Sequence, residues 1–392
     1  MKRNPSIAAA AVVLSIAGLM LWRSQDGALA ASPPSAPLFT PSPASGPQNE
    51  GQRAKVDIVF ALDTTSSMSE LIEGAKSKIW EIARRAQQGQ PAPEVRIGLV
   101  AYRDVGDEYV TKVLDLTGDL DQVYASLNAL TASGGGDGPE HVIKGLHDAV
   151  NGVQWSTGPR TVKLVYLVGD AAPHEDYHDG LTMAGVLGDA HRRGIRISAI
   201  RCGHDEATLA AWTSIAQRTD GEVSTIEQNG GVRAAITTPY DADLARLNAE
   251  LAKTEVHWGS RAERAAAADV LATNMAAPAV AQADRAGFYA AQAHHGGPTK
   301  QDLAAADPTA LAAVAPADLP DEMQRMSPEE RTRFVTEKRV RREAVLGEIK
   351  EASAKREATL KAAPAPRVSP SSFDAKVIDS LRKAGASSSI VY

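Results

Sequence analysis

The sequence has very little cysteine, because Cys202 is the only one among 392 residues. A single thiol excludes an internal disulfide framework and any zinc or iron–sulfur site built from several cysteines. Since Cys202 ends a predicted buried strand, we expect it to pack as a small apolar side chain.

Positive charge is not in excess: 42 lysines and arginines stand against 48 aspartates and glutamates, a net charge of −6. A nucleic-acid-binding protein needs a basic surface, so that class is excluded. Aromatic residues are scarce, at 5%, although 43% of the residues are hydrophobic. The chain can therefore bury a sizeable core made mainly of aliphatic side chains.

One long apolar run covers residues 7–22, after two basic residues and before the sequence Ala28-Leu29-Ala30. This pattern is typical of a secretory signal peptide spanning residues 1–30. The run is shorter than the roughly twenty residues that a membrane span needs. Two charged residues before the cleavage site are atypical of a signal, so an uncleaved N-terminal anchor remains the alternative. Either way we expect export, to the periplasm or beyond, with membrane contact only through this segment.

Residues 31–54 are rich in proline, serine and alanine. Such a segment cannot form a core and tends to be extended. We interpret it as a linker to a folded domain.

Residues 55–255 alternate between apolar runs typical of buried strands and segments with helical periodicity. The predicted strands are 56–62, 95–102, 109–116, 161–168, 195–202 and 222–226; the predicted helices are 71–86, 120–130, 139–150, 180–193, 206–218 and 241–253. This alternation predicts an α/β fold with a doubly wound, mainly parallel sheet. Because strands 95–102 and 109–116 are joined by only six residues, we expect one antiparallel edge strand.

The remaining chain predicts a helical C-terminal extension. Residues 256–319 are alanine-rich, helical at first and then irregular, and residues 320–363 are predicted to form a charged helix. The weak apolar stripe of that helix favours a solvated arm or a short coiled coil over a membrane-surface role. Residues 364–392 are predicted to be a linker and a short terminal helix.

Polar residues follow the strand ends of the predicted sheet. Asp63, Thr65 and Ser67 alternate after the first strand, Asp170 follows strand 161–168, and Asp137 lies in the glycine-rich segment between them. Because open α/β sheets bind ligands at the carboxyl ends of their strands, we expect these side chains to converge. Five oxygen ligands suit Mg²⁺, with Ca²⁺ or Mn²⁺ as alternatives.

These motifs resemble the metal-ion-dependent adhesion site of the von Willebrand factor type A (vWA) domain, over roughly residues 55–227. That family has D-x-S-x-S on its first loop, threonine on the second and aspartate on the third. Here Thr65 replaces the first serine, and Asp137 stands where the threonine is usual. The glycine-rich second loop and Tyr102-Arg103-Asp104 resemble a secreted bacterial branch of the family. The resemblance implies a metal with one open position, which an Asp or Glu of a protein partner fills.

Helix capping is the alternative explanation for two of these motifs. Ser67 and Glu70 fit a capping box, and so do Asp137 and Glu140. Asp137 is therefore either a metal ligand, direct or through water, or the cap of the next helix. The glycine-rich loop lacks the Lys-Ser/Thr of a phosphate-binding P-loop, which excludes that interpretation.

Residues His174, Glu175 and His178 match the H-E-x-x-H pattern of zinc proteases. That chemistry needs both histidines on one face of a helix, whereas Pro173 and Asp179-Gly180 predict a loop. We therefore interpret this segment as part of the loop surface around the metal.

Four other residues are predicted near that surface. His141 and Arg103 are candidates for partner contacts, with ordinary surface residues as the alternative. Asp104 and Asp107 are candidates for acids that support the metal ligands from behind.

The sequence thus predicts a non-enzymatic, metal-dependent protein-binding module of the cell envelope, serving adhesion or scaffolding. One alternative is a structural envelope module that oligomerises through its C-terminal helices. The other is a zinc hydrolase that uses His174, Glu175 and His178.

Overall fold

In the part of the chain that the structure describes, six strands form one sheet in the order β3-β2-β1-β4-β5-β6. The strands are β1 (Lys55–Asp63), β2 (Glu94–Tyr102), β3 (Thr111–Thr117), β4 (Thr161–Gly169), β5 (Arg196–Cys202) and β6 (Val223–Ile226). All neighbours are parallel except β3, which pairs antiparallel with β2 at one edge. The predicted fold class is therefore confirmed.

This computed structural model describes residues 54–136, 139–230, 237–292, 301–362, 372–386 and 388–392. The predicted signal peptide lies outside these residues, as does the predicted linker up to residue 53. In the described part of the chain, no helix combines the length and apolar character needed to cross a membrane.

Helices cover both faces of the sheet. They are α1 (Ser69–Gln87), α2 (Leu120–Asn128), α3 (Val142–Asn151), α4 (Met183–Arg192), α5 (Glu206–Gln217), α6 (Asp241–Ala252), α7 (Arg261–Met275), α8 (Ala279–Gln292), α9 (Ala310–Ala313), α10 (Asp321–Gln324), α11 (Pro328–Ala362) and α12 (Phe373–Ala386). Helices α3, α4 and α5 share one apolar core with the sheet, while α1, α2 and α12 share the other. Strands β1 and β4 are consequently buried on both faces, as their continuous apolar runs predict.

The C-terminal helix α12 covers part of one face of the sheet, although it lies far from β6 in the sequence. The Phe373 ring packs 6.0 Å from that of Phe60 in β1. The Tyr166 hydroxyl of β4 donates to the carbonyl of Val377, at 3.0 Å. The final residues also bind back, since the Tyr392 hydroxyl donates to the carbonyl of Ala86 in α1. Helix α12 is therefore an integral part of the α/β domain.

The long helix α11 packs against the domain, so the expectation of a solvated or coiled-coil arm is wrong. Its residues Val345, Ile349 and Ala352 are buried in the core that α6 and α8 share. Arg356 is also buried, donating to Asp241 and Asp284 at 2.7 Å each. Its apolar stripe looks weak in the sequence because ion-paired arginines occupy part of the buried face.

A second buried arginine joins the extension to the sheet domain. Arg285 of α8 is 1% exposed and holds both carboxylate oxygens of Asp121 in α2, at 2.6 and 2.5 Å. It also donates to Asn248 of α6, at 2.6 Å. Because an unpaired buried charge is costly, these partners fix α8 against α2 and α6.

We predict that Phe373→Ala lowers the free energy of unfolding by about 3–5 kcal/mol, because it leaves a cavity between α12 and β1. Arg382→Ala, at an exposed site on the same helix, is the control and should change it by less than about 0.5 kcal/mol. Urea denaturation measures both. Equal, small effects of the two variants would show that Phe373 does not pack α12 against the sheet.

Candidate metal centre

The first loop gathers three oxygen-bearing side chains at the end of β1. Asp63 is fully buried, and its Oδ1 accepts hydrogen bonds from the backbone N–H of Thr65 at 2.9 Å and the Thr65 hydroxyl at 2.7 Å. The Ser67 hydroxyl lies 3.3 Å from that of Thr65. The three predicted residues therefore do converge. Asp63 Oδ2 is buried with no hydrogen-bond partner among the described residues.

Asp170 lies directly after β4, whose end adjoins that of β1. Its Oδ2 accepts a hydrogen bond from Gln228 Nε2 at 2.6 Å. The same nitrogen is 3.2 Å from the carbonyl of Ser67. Gln228 follows β6 and thus ties the first loop to Asp170. The sequence alone does not reveal this residue, since a lone glutamine after a short strand belongs to no motif.

The glycine-rich loop closes over the first loop. The backbone N–H and the hydroxyl of Ser66 both donate to the carbonyl of Gly134, at 3.3 and 2.9 Å. Gly134 has φ +82°, and a Cβ there would lie 2.2 Å from the carboxylate of Asp107. Asp107 in turn accepts from the N–H of Gly135 at 3.2 Å. Only glycine fits at Gly134, and Asp107 holds the loop in place.

Neither of the two predicted capping boxes, Ser67 with Glu70 and Asp137 with Glu140, forms the N-terminus of its helix. Helix α1 has Met68 at its N-cap without a side-chain cap, so Ser67 does not cap it. Helix α3 begins at Val142 with His141 at its N-cap, so Glu140 precedes the helix. Asp137 lies outside the described residues, and its role as a ligand stays a prediction.

Glu140 is a member of the site that the sequence analysis assigned only to a capping box. It is 3% exposed, and its Oε2 is buried with no hydrogen-bond partner in the described residues. Its backbone is fixed to the loop after β4, donating to Ala172 and accepting from His174, at 3.1 and 3.0 Å. The Pro-Glu pair that follows the glycine-rich loop was the available signal.

These side chains surround a cleft of about 520 Å³ at the carboxyl edge of the sheet. Its lining includes Thr65, Ser67, Gly135, Glu140 and Asp170. Across the described ranges, no three His, Cys, Asp or Glu side chains form a ready cluster for a metal. A cation here would instead need the mixed set of carboxylates and hydroxyls, which is the donor type of Mg²⁺ and Ca²⁺ sites.

The carboxyl groups of Asp63 and Glu140 have raised pKa values because both are buried near other acids. Burial raises the pKa of Asp63 to about 7, and the charge of Asp170 adds to the rise. Burial also raises the pKa of Glu140 to about 9, with a further contribution from Asp63 and neighbouring acids. Both ionised forms are disfavoured in this surrounding, so a bound cation would stabilise them.

The two candidate partner contacts are both buried, so that prediction is wrong. Arg103 is 1% exposed and donates to the carbonyls of Thr64 and Thr131, at 3.1 and 2.7 Å. His141 is 4% exposed and lies 3.1 Å from Asp179. Both brace loops and present no surface. Burial of a strand-end arginine is not visible in a sequence, because it depends on where neighbouring carbonyls point.

The acids behind the site have structural partners. Asp104 accepts hydrogen bonds from the Tyr177 hydroxyl, at 2.6 and 2.8 Å from its two oxygens. Asp107 accepts from the N–H groups of Asp104 and Gly135, both at 3.2 Å. Both therefore position the loops around the cleft.

The H-E-x-x-H segment is not helical, as the sequence analysis expected. Residues 173–180 lie in the loop between β4 and α4. The His174 and His178 side chains both bond within this loop, to the carboxylate and the carbonyl of Asp176. The paired histidines of a zinc protease helix are thus absent from this segment.

Comparison with known proteins agrees with this architecture. The sequence profile of the von Willebrand factor A domain matches residues 57–225. The chain is 38% identical over 91 residues to mouse von Willebrand factor A domain-containing protein 7, covering 23% of this chain and 10% of that protein. It is 26% identical over 144 residues to the alpha-protein kinase vwkA of Dictyostelium discoideum, covering 36% and 22%. The chain therefore spans less than a quarter of the length of either relative.

Among solved structures, the SpRpn10 VWA domain aligns with 45% of this chain and 89% of that chain. The identity is 14% and the TM-score is 0.34. The pilus adhesin SpaC from Lactobacillus rhamnosus GG aligns with 44% of this chain and 28% of that chain, also at 14% identity and a TM-score of 0.34.

We predict that Gly134→Ala lowers the free energy of unfolding by about 2 kcal/mol, because alanine is strained at this φ and its Cβ meets Asp107. Gly136→Ala, two residues on in the same loop, is the matched control, since a Cβ there has no neighbour within 4 Å. It should change the value by less than about 0.5 kcal/mol. Guanidinium denaturation distinguishes the two, and similar effects would contradict the loop geometry.

A second prediction concerns pH in the presence of a chelator. Folded Glu140 keeps its proton up to about pH 9, whereas the unfolded chain releases it near the ordinary value of 4.5. Stability is therefore lost as pH rises between these values, and Glu140→Gln removes that loss. From about pH 5 to 8, the free energy of unfolding of the variant should rise relative to that of the wild type by up to ~1 kcal/mol per pH unit. A difference that stays flat over this pH range would contradict the burial of Glu140 without a charge partner.

Proposed function

We propose that this protein binds a protein partner through a divalent cation. Residues 57–225 match the profile of the von Willebrand factor A domain, a module that commonly mediates protein–protein interaction. The observation that carries the proposal is the pair of buried oxygens without partners, Asp63 Oδ2 and Glu140 Oε2, at a cleft lined by hydroxyl groups. Native structures rarely leave such atoms unsatisfied, so both oxygens are candidates to bind a cation.

The ligands that we propose are Asp63, Thr65, Ser67 and Asp170, joined by Glu140. Asp137 is a further candidate from the sequence. Mg²⁺ suits these hard oxygen donors. Because Asp63, Asp170 and Glu140 together supply three carboxylates, Ca²⁺ or Mn²⁺ would compete for the site. When bound, the cation supplies positive charge and a coordination position for a carboxylate of the partner.

The residues of this chain prepare that site before any ligand arrives. Thr65 donates to one oxygen of Asp63, and the other oxygen is buried with no hydrogen-bond partner among the described residues. Gln228 holds Asp170 and the backbone of Ser67 in one arrangement. Such fixed donors lower the entropic cost of binding a cation and a partner.

No catalytic role is part of this proposal. We also propose that the protein acts outside the cytoplasm, in the cell envelope, on the strength of the predicted signal peptide or anchor. The C-terminal helices pack on their own domain, which removes the main argument for oligomerisation through them.

Calorimetric titration with Mg²⁺, Ca²⁺ and Mn²⁺ tests the proposal. The wild type should bind at least one ion saturably, and Asp63→Asn should weaken that binding by more than about 100-fold. Asp269→Asn, at an exposed site on α7, changes the charge equally and should bind like the wild type. The proposal fails if no ion binds, or if Asp63→Asn binds as tightly as the control.

A further inference from the structure

The loops around the cleft share a charge property that extends beyond the metal site. We define the loop face as the described parts of the loops that follow β1, β2, β4, β5 and β6, the first turns of α1 and α5, and residues 131–136 and 139–141, because they meet at one edge of the sheet. Every exposed, fully charged side chain among the described residues of this face is acidic; they are Glu70, Glu108, Glu175, Asp176, Asp179, Asp205, Glu206 and Glu227. We call these eight residues the acidic rim.

Among the described residues, the basic side chains near the loop face offset this rim only in part. Arg103 and Arg201 are buried. Arg103 lies 3.5 Å from Glu108, and Arg201 donates to the carbonyl of Asp205 at 2.7 Å and to Glu206 at 3.3 Å. Lys112, exposed on β3, pairs with Glu108 at 3.2 Å. The exposed side chains of Glu206 and Glu227 are 83% and 67% accessible, so their charges face solvent.

The centre of the loop face gives a second, independent sign of a ligand. Glu140 lines the cleft with its Oε2 buried and unsatisfied by the described residues, and Asp63 Oδ2 is in the same condition. A single dication would neutralise charge at this centre only. The acidic rim would keep its negative potential over distances of about a Debye length, roughly 8 Å at physiological salt.

We infer that the partner docks on the loop face with a surface rich in lysine and arginine that surrounds one central aspartate or glutamate. The inference rests on the proposed function, since the central carboxylate is the group that the cation would take. The basic surroundings follow from the rim, because like charges across an interface are repelled and opposite charges speed association and fix orientation. An acidic or neutral surface around the same carboxylate would lack this match.

Four synthetic peptides of equal length test the inference with the full-length protein in Mg²⁺. Three carry a central aspartate flanked by lysines, by serines or by glutamates, and the fourth is the lysine-flanked peptide with a central asparagine. By fluorescence anisotropy, the lysine-flanked aspartate peptide should bind about tenfold more tightly than the serine-flanked one, and the glutamate-flanked one should be weakest. About 1 M NaCl should remove most of this preference.

A charge-reversed variant assigns the preference to the rim. Glu175→Lys combined with Asp176→Lys should reduce the preference for the lysine-flanked over the serine-flanked peptide severalfold. The control Glu343→Lys, on the exposed face of α11, should leave this preference unchanged. Equal affinity for the three aspartate peptides would overturn the inference and leave the proposed function standing. An asparagine peptide that binds as tightly as its aspartate counterpart would overturn the proposed function. Absence of binding by all four would overturn both.

Discussion

A buried carboxylate at the end of the central strand is the constraint on which the site depends. Asp63 is fully removed from solvent, and burying a charge is costly unless it is matched. Thr65 satisfies one oxygen, and the other has no hydrogen-bond partner among the described residues. The neighbouring loops are held by their own hydrogen bonds, through Gln228 and Asp107, and bring further oxygens to the same edge. The structure thus brings together carboxyl groups whose ionised forms a bound cation would stabilise.

Helices must cover both faces of the sheet, and some of these helices follow β6 in the sequence. Helix α12 lies over β4 and β5, while α8 and α11 are joined to α2 and α6 by buried arginines. The described helices beyond β6 therefore take part in the packing of the α/β domain. Because those arginines are paired with aspartates, they also specify which helices meet.

The sequence was most informative where one physical rule acted locally. Continuous apolar runs predicted β1 and β4, and the spacing of Asp63, Thr65 and Ser67 predicted their convergence. The rest required the tertiary structure. Glu140 and Gln228 enter the site only because distant loops cross, and the burial of Arg103 depends on carbonyls from two loops. Helix α11 was misjudged because ion pairing, rather than hydrophobicity, buries part of its face.

Anomalous diffraction from crystals grown with Mn²⁺ tests the central claim most directly, since it locates the ion without a binding partner. We predict one strong anomalous peak within coordination distance of Asp63 and of the hydroxyls of Thr65 and Ser67. Asp170 and Glu140 should lie next to this peak. A peak on the loop that holds His174 and His178 would contradict it. So would crystals at saturating Mn²⁺ with no peak at the cleft.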